Sequence, residues 1–258
     1  MKKKICIILI AVFVALLGTS TYFIYDYYHQ AREQAELYDS LADIVEQAEG
    51  DEQSDSAESI PYNGEKTILP EYAELFMQNT DMVGWIQIAD TNINYPVMHT
   101  PDNPGFYLKH GFDKGYSDYG CPYVQENCDA QLPTDNVIIY GHHMKNGSMF
   151  CDLEKFKSED FYKEHKTISF NTLTDKYEYE IVAVFKTFVY SDSPESFKYY
   201  RFVNADTPEQ FDEYIAKCKE LSLYDTGVNA EYGDKLITLS TCEYSRTNGR
   251  LVVVAKRV

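Results

Sequence analysis

The last stretch of the chain, KLITLSTCEYSRTNGRLVVVAKRV from Lys235 to Val258, leaves little conformational choice. Leu236 to Cys242 alternates aliphatic with small hydroxyl-bearing residues, and Arg250 to Ala255 is a β-branched run, so both segments read as strands. The polar excursion Glu243 to Asn248 and its Asn-Gly step supply the turn. Antiparallel closure on that loop sets Cys242 opposite Arg250. Directly opposed residues carry Cβ atoms about 4.5–5.5 Å apart. A thiol and a permanent positive charge therefore meet at the open end of a hairpin.

Aromatic residues extend the same preference along the chain: 23 tyrosines and 14 phenylalanines favour strands and leave few helical windows, so a mainly β domain is expected. A chain of 258 residues buries one good core and hardly a second. With 41 acidic and 23 basic residues the formal charge of −18 repels nucleic acid, and that class of partner is set aside. Six cysteines show neither CxxC spacing nor a zinc-type histidine pattern. Cys121 and Cys128 could bridge, but two separate thiols are the reading taken.

Lys2, Lys3 and Lys4 precede an apolar run, and residues 5–24 reach the roughly 20 needed to span hydrocarbon. The basic flank predicts residues 1–4 on the cytoplasmic side, with Tyr22, Tyr25, Tyr27 and Tyr28 at the outer interface. A cleaved signal peptide shares these features, but no small-x-small site follows the apolar core, so an uncleaved anchor is expected. Residues 25–66 read as a helical stalk followed by an acidic linker over 49–59, and 67–258 as the folded domain.

Within that domain, Pro70 opens a short helix to Gln78. Strands are expected at 84–88, 93–98, 121–125, 136–140, 168–171 and 177–189, ahead of the two terminal ones. Gly105 to Tyr119 reads as surface loop, and Ser148 to Phe156 has helical spacing. Thr207 to Leu221 is the clearest helix, with Thr207 as cap, Gln210 completing a capping box and Phe211, Tyr214, Ile215, Cys218 and Leu221 as its buried stripe. It lies between two strands near the hairpin and could wall a groove beside Cys242.

A thiol ionises only slightly at neutral pH and needs a base nearby. The strand NVIIY, Asn136 to Tyr140, stops at Gly141-His142-His143 and delivers an imidazole to a sheet edge. His142, Cys242 and Arg250 together supply base, nucleophile and oxyanion partner. Successive strand residues point to opposite faces, so His142 and His143 cannot both aim at the thiol. Glu243 follows the nucleophile and reads as an exposed loop carboxylate.

These residues resemble the sortase family, class B. The resemblance rests on TLSTC at Thr238 to Cys242, Arg250 opening the last strand, IIYGHHM at Ile138 to Met144 and NGSMF at Asn146 to Phe150. Tyr72, Val83-Gly84-Trp85-Ile86 and Ile93-Asn94-Tyr95-Pro96-Val97 also resemble the class B N-terminal region, so the likeness runs from about residue 68 to the end. It implies a closed β-barrel of about eight strands with appended helices, and a cysteine transpeptidase with Cys242 as nucleophile, His142 as acid and base, and Arg250 at the oxyanion.

The implied partners are secreted proteins bearing a C-terminal sorting signal, cut after its threonine, and a cell-wall precursor amine or a pilin amine. Signals of the NPQTN type and TG-ending signals both occur in the class. Thr241, Tyr190, Ser191, Tyr199 and Glu243 are the substrate-binding candidates. No DxDxDG-type loop is present, and neither metal nor cofactor is expected. The catalytic domain would lie outside the cell. Pilus assembly, a cysteine hydrolase and a non-catalytic anchored scaffold are the alternatives.

Overall fold

The structure, a computed structural model, describes residues 2–50, 60–62, 64, 66–189 and 196–258. Two compact units are present, residues 1–39 and 40–258. Helix α1, Lys2–Gly50, begins in the first. Ile5, Leu9, Phe13, Leu16 and Phe23 are all exposed on it, so its apolar surface runs all round. Such a helix suits hydrocarbon and not a protein core, and this one is long and apolar enough to cross a membrane. In the second unit, Leu41 and Val45 of α1 are buried and Glu49 pairs with Lys176 at 2.7 Å. Most of the expected acidic linker, 51–59, lies outside the described residues.

A small hairpin of β1, Pro61–Tyr62, and β2, Lys66–Thr67, precedes α2, Pro70–Gln78. The barrel is then built from β3, Met82–Gln87, β4, Asn94–Met98, β5, Tyr123–Val124, β6, Asn136–Tyr140, β7, Thr167–Thr172, β8, Glu178–Phe188, β9, Leu236–Glu243, and β10, Gly249–Arg257. It closes in the order β10-β8-β7-β3-β4-β5-β6-β9. Closure removes both sheet edges and encloses a core that includes Ile86, Val97, Ile139, Leu239 and Val253. All eight strands expected from the sequence are barrel strands. Two pairs, β4 with β5 and β6 with β9, are parallel, and the second of these matters for the site.

The segment read as helical, 148–156, forms a 3₁₀ helix at Phe150–Lys157 that runs on through Ser158 into α3, Glu159–Glu164. The loop after β4 contains a further 3₁₀ turn, Phe106–Leu108. Helix α4, Pro208–Leu221, is capped as expected: Thr207 Oγ1 accepts from Gln210 N. Gln210 Oε1 in turn accepts from Asp206 N at 2.9 Å, one residue earlier than a strict capping box. Phe211, Tyr214, Ile215 and Cys218 pack with Phe185 of β8, Leu236 of β9 and Val252 and Val254 of β10. Cys121 and Cys128 are separate, buried thiols.

Candidate active site

Strand β9 is the axis of the site. Its even-numbered residues share one face, and that face is covered in steps. Leu236 packs in the α4 cluster, and Thr238 meets the Tyr214 hydroxyl at 3.3 Å. Ser240 meets the Tyr199 hydroxyl at 2.6 Å. Cys242 is next in the row and lies past the cover, half-buried. The helix thus seals the floor of the row that ends in the cysteine. Its contacts with β9 stop short of Cys242 itself.

Two neighbouring strands bring chemistry to the level of Cys242. On one side β10 pairs antiparallel with β9, and Arg250 is the direct partner of Cys242. The turn between them uses Asn248 in the left-handed region, φ 56°, followed by Gly249. A Cβ on Gly249 would stand 2.3 Å from the carbonyl oxygen of Glu243, so only glycine lets the strands close there. Arg250 Nη1 donates to the carbonyl of Gly249 at 2.9 Å, and among the described residues no carboxylate pairs with it.

On the other side β6 runs parallel to β9 in constant register, Asn136 with Leu236 through to Tyr140 with Ser240. The pairing continues one residue further: Gly141 N donates to Ser240 O at 3.2 Å and Thr241 Oγ1 donates to Gly141 O at 2.8 Å. The ladder itself ends at Tyr140 and Ser240, and His142 follows two residues beyond it as Cys242 follows Ser240. Gly141 is required because a Cβ there would fall 2.5 Å from the Phe150 ring, which packs under the chain as it leaves the barrel. His142 is then pinned by Phe150 N, which donates to its carbonyl at 2.8 Å.

The two imidazoles bond to different backbone carbonyls. His142 Nε2 donates to the carbonyl of Leu108 at 2.7 Å. Because a carbonyl only accepts, the neutral ring carries its proton on Nε2 and keeps the Nδ1 lone pair free. Burial pulls the His142 imidazole below its ordinary value, against the Leu108 carbonyl, while Lys109 lowers it and Asp118 raises it. His143 instead bonds through Nδ1 to the backbone carbonyl of Cys242 at 3.0 Å. Its ring packs edge-on against Tyr244, whose hydroxyl donates to His143 O at 3.1 Å.

The remaining candidates fall away from the open face. Thr241 is buried with its hydroxyl committed to Gly141, and Tyr199 is buried with its hydroxyl on Ser240. Glu243, expected as an exposed carboxylate, is 5% exposed. It faces away from the Cys242 side chain and accepts from Lys157 Nζ at 2.9 Å and from Ser245 N at 3.0 Å. Tyr190 and Ser191 lie outside the described residues. Sequence reasoning missed Leu108, which acts through a backbone carbonyl and so carries no residue-type signal. It also missed Lys157 and Glu154, whose spacing of three on the 3₁₀ turn was visible but pointed to nothing without the fold.

Residues 86–258 match the model of the sortase domain family. Sortase B of Listeria monocytogenes is 36% identical over 200 residues, covering 76% of each chain. Sortase B of Staphylococcus aureus is 31% identical over 191 residues, covering 73% of this chain and 75% of the relative. Among solved structures, a Staphylococcus aureus sortase B–substrate complex superposes with a TM-score of 0.76 at 26% identity, covering 89% of this chain and 98% of its own. With a closed eight-stranded barrel, a thiol faced by an arginine and this degree of likeness to two sortase B proteins, the chain belongs to the sortase family of cysteine transpeptidases.

Proposed function

We propose that this protein is a membrane-anchored class B sortase, held by residues 5–24 with its catalytic domain, residues 67–258, outside the cell. Cys242 attacks the carbonyl carbon of the threonine in a sorting signal near a secreted protein's C-terminus, at the amide bond that follows that residue. The tetrahedral intermediate collapses to a thioester as the C-terminal part leaves as an amine. A second amine, from a cell-wall precursor, then takes the acyl group and frees the thiol.

The observation that carries this reading is the three-strand register, with Arg250 paired to Cys242 and the β6–β9 ladder ending two residues before His142. His142 Nδ1, left unprotonated by the Leu108 bond, takes the proton from the thiol or the incoming amine and returns it to the leaving amine. The Arg250 guanidinium, without a carboxylate of its own among the described residues, stabilises the oxyanion. Existence of a substrate complex for the Staphylococcus aureus relative supports the peptide-substrate reading.

The test is turnover of fluorogenic peptides carrying NPQTN-type and TG-ending signals, each with and without triglycine as acceptor. Wild-type protein should form the amide product, and Cys242→Ala and His142→Ala should not. Hydrolysis alone at high amine concentration would overturn transpeptidation. Activity surviving in Cys242→Ala would overturn the mechanism.

A further inference from the structure

Four residues, His143, Glu154, Lys157 and Glu243, close a ring on the backbone of Cys242. The Cys242 carbonyl accepts from His143 Nδ1 at 3.0 Å. Glu154 Oε1 lies 3.8 Å from that same nitrogen, and its Oε2 pairs with Lys157. Lys157 Nζ also holds Glu243 Oε1 at 2.9 Å, and Glu243 is joined to Cys242 by the peptide bond itself. The other Glu243 oxygen accepts from the Ser245 amide at 3.0 Å and from the Ser245 hydroxyl, folding the chain just past the nucleophile. Lys186 of β8 stands 3.8 Å away as a second cation.

The geometry explains why these side chains meet. In a 3₁₀ helix residues three apart eclipse, so Glu154 and Lys157 project from one side of the 150–157 turn. Glu243 points to the opposite face of β9 from Cys242 and reaches that side. A carboxylate with only 5% of its side chain exposed must be paired, and an ion pair at such a place adds little net stability over an apolar contact of the same shape. What it adds is direction: it fixes the position of one strand end against a helix turn 86 residues away in sequence.

We propose that Lys157 is a positioning residue for acyl transfer. By holding Glu243 and Glu154 together it sets the peptide unit on either side of Cys242, and with it the line along which the thiol meets the substrate carbonyl. This inference rests on Cys242 being the nucleophile. It requires no contact between Lys157 and substrate, and none with the thiol.

The full-length protein is compared with Lys157→Met, Lys157→Arg and the double variant Lys157→Met/Glu243→Gln, on whichever signal peptide of the panel above it turns over fastest. Misplacement of reacting groups by about 1 Å costs on the order of 100-fold, so kcat should fall about 10- to 100-fold in Lys157→Met with KM nearly constant. Lys157→Arg should recover most of the loss. The double variant leaves no unpaired buried charge, so its thermal midpoint should return close to wild type while kcat stays low. Alkylation of Cys242 by iodoacetamide, which needs the thiol but no aligned substrate, should stay close to the wild-type rate throughout.

Wild-type kcat in the folded double variant would overturn the proposal, as would an alkylation rate that falls in parallel with kcat. Cys242→Ala separates the two readings. If it is inactive while the double variant is fully active, the ring alone is refuted. If it retains turnover, the nucleophile assignment fails first and the ring's role with it.

Discussion

The Thr241 hydroxyl donates to the carbonyl of Gly141 at 2.8 Å, and with the Gly141 N–H on Ser240 O at 3.2 Å it carries the parallel β6–β9 contact past the last residue of β6. Without it the Gly141 carbonyl would be released where the chain turns towards His142. Thr241→Val keeps the shape and removes the donor. Loss of one such bond costs about 1 kcal/mol. The expected outcome is a small drop in the thermal midpoint and a larger loss in kcat, because the bond fixes the strand that presents the imidazole. Thr241→Ser should restore both, measured by thermal unfolding and peptide turnover.

His142 offers a test by titration. Burial moves its imidazole below the ordinary 6.5 in the folded chain. Across the interval between the folded value and 6.5 the unfolded state binds more protons, so stability falls as pH drops through that interval. The same shift keeps the ring neutral and basic at neutral pH. Lys109→Gln removes a neighbouring positive charge and uncovers Asp118, which Lys109 binds at 2.7 Å. The His142 titration, followed by NMR through its ring proton, should therefore move upward in that variant. A downward movement would refute the electrostatic assignment.

Much of this was legible because it rests on local pattern. Alternation in Leu236 to Cys242 and the Asn248-Gly249 turn specify the hairpin, and the hairpin alone puts Cys242 opposite Arg250. Gly141-His142 was legible as a strand end. The parallel pairing of β6 with β9 was not, since pairing between strands a hundred residues apart leaves no mark on either. The fate of Glu243 was misjudged for a related reason. A loop carboxylate next to an exposed turn looks solvated until a lysine from another element is placed beside it. Tyr199 was read as groove lining from its position after β8. The hydroxyl of Ser240, two residues before Cys242, draws it into the core instead.

Glu243 itself should govern acid stability. Burial would raise its carboxyl, but hydrogen bonds from Ser245 and Lys157 outweigh that and hold it at about 2, against 4.5 for the free group. A carboxylate depressed in the folded state contributes stability above its unfolded value and loses it as pH falls towards the folded one. The window is therefore pH 4.5 to about 2. At 1.36 kcal/mol per pH unit the contribution is on the order of 3 kcal/mol. Urea unfolding at pH 6 and pH 3 should show Glu243→Gln less stable than wild type at the higher pH, with the gap narrowed to about 1.4 kcal/mol at the lower. A constant gap between the two proteins would show that the ion pair is not what holds the turn.

The six thiols should separate by reactivity, and the separation tests how tightly the barrel is closed. Burial pushes Cys128 up to about 11 and Cys218 up to about 12, and Cys121 is buried as well. Reaction with a maleimide needs both access and thiolate, so these three should resist labelling in the native protein. Cys242 and Cys151 are half-buried, the first at the open end of its row and the second on the 3₁₀ turn behind it, and both should label. Cys6 lies in the apolar helix and should react in detergent solution only where the micelle admits the reagent. Peptide mapping after timed labelling reads each site separately. Prior addition of a substrate peptide should protect Cys242 and leave Cys151 unchanged, because only the first would carry the acyl group. Equal protection of the two would mean that the peptide covers the 150–157 turn as well, and the binding surface would then extend across the face that holds Glu154 and Lys157.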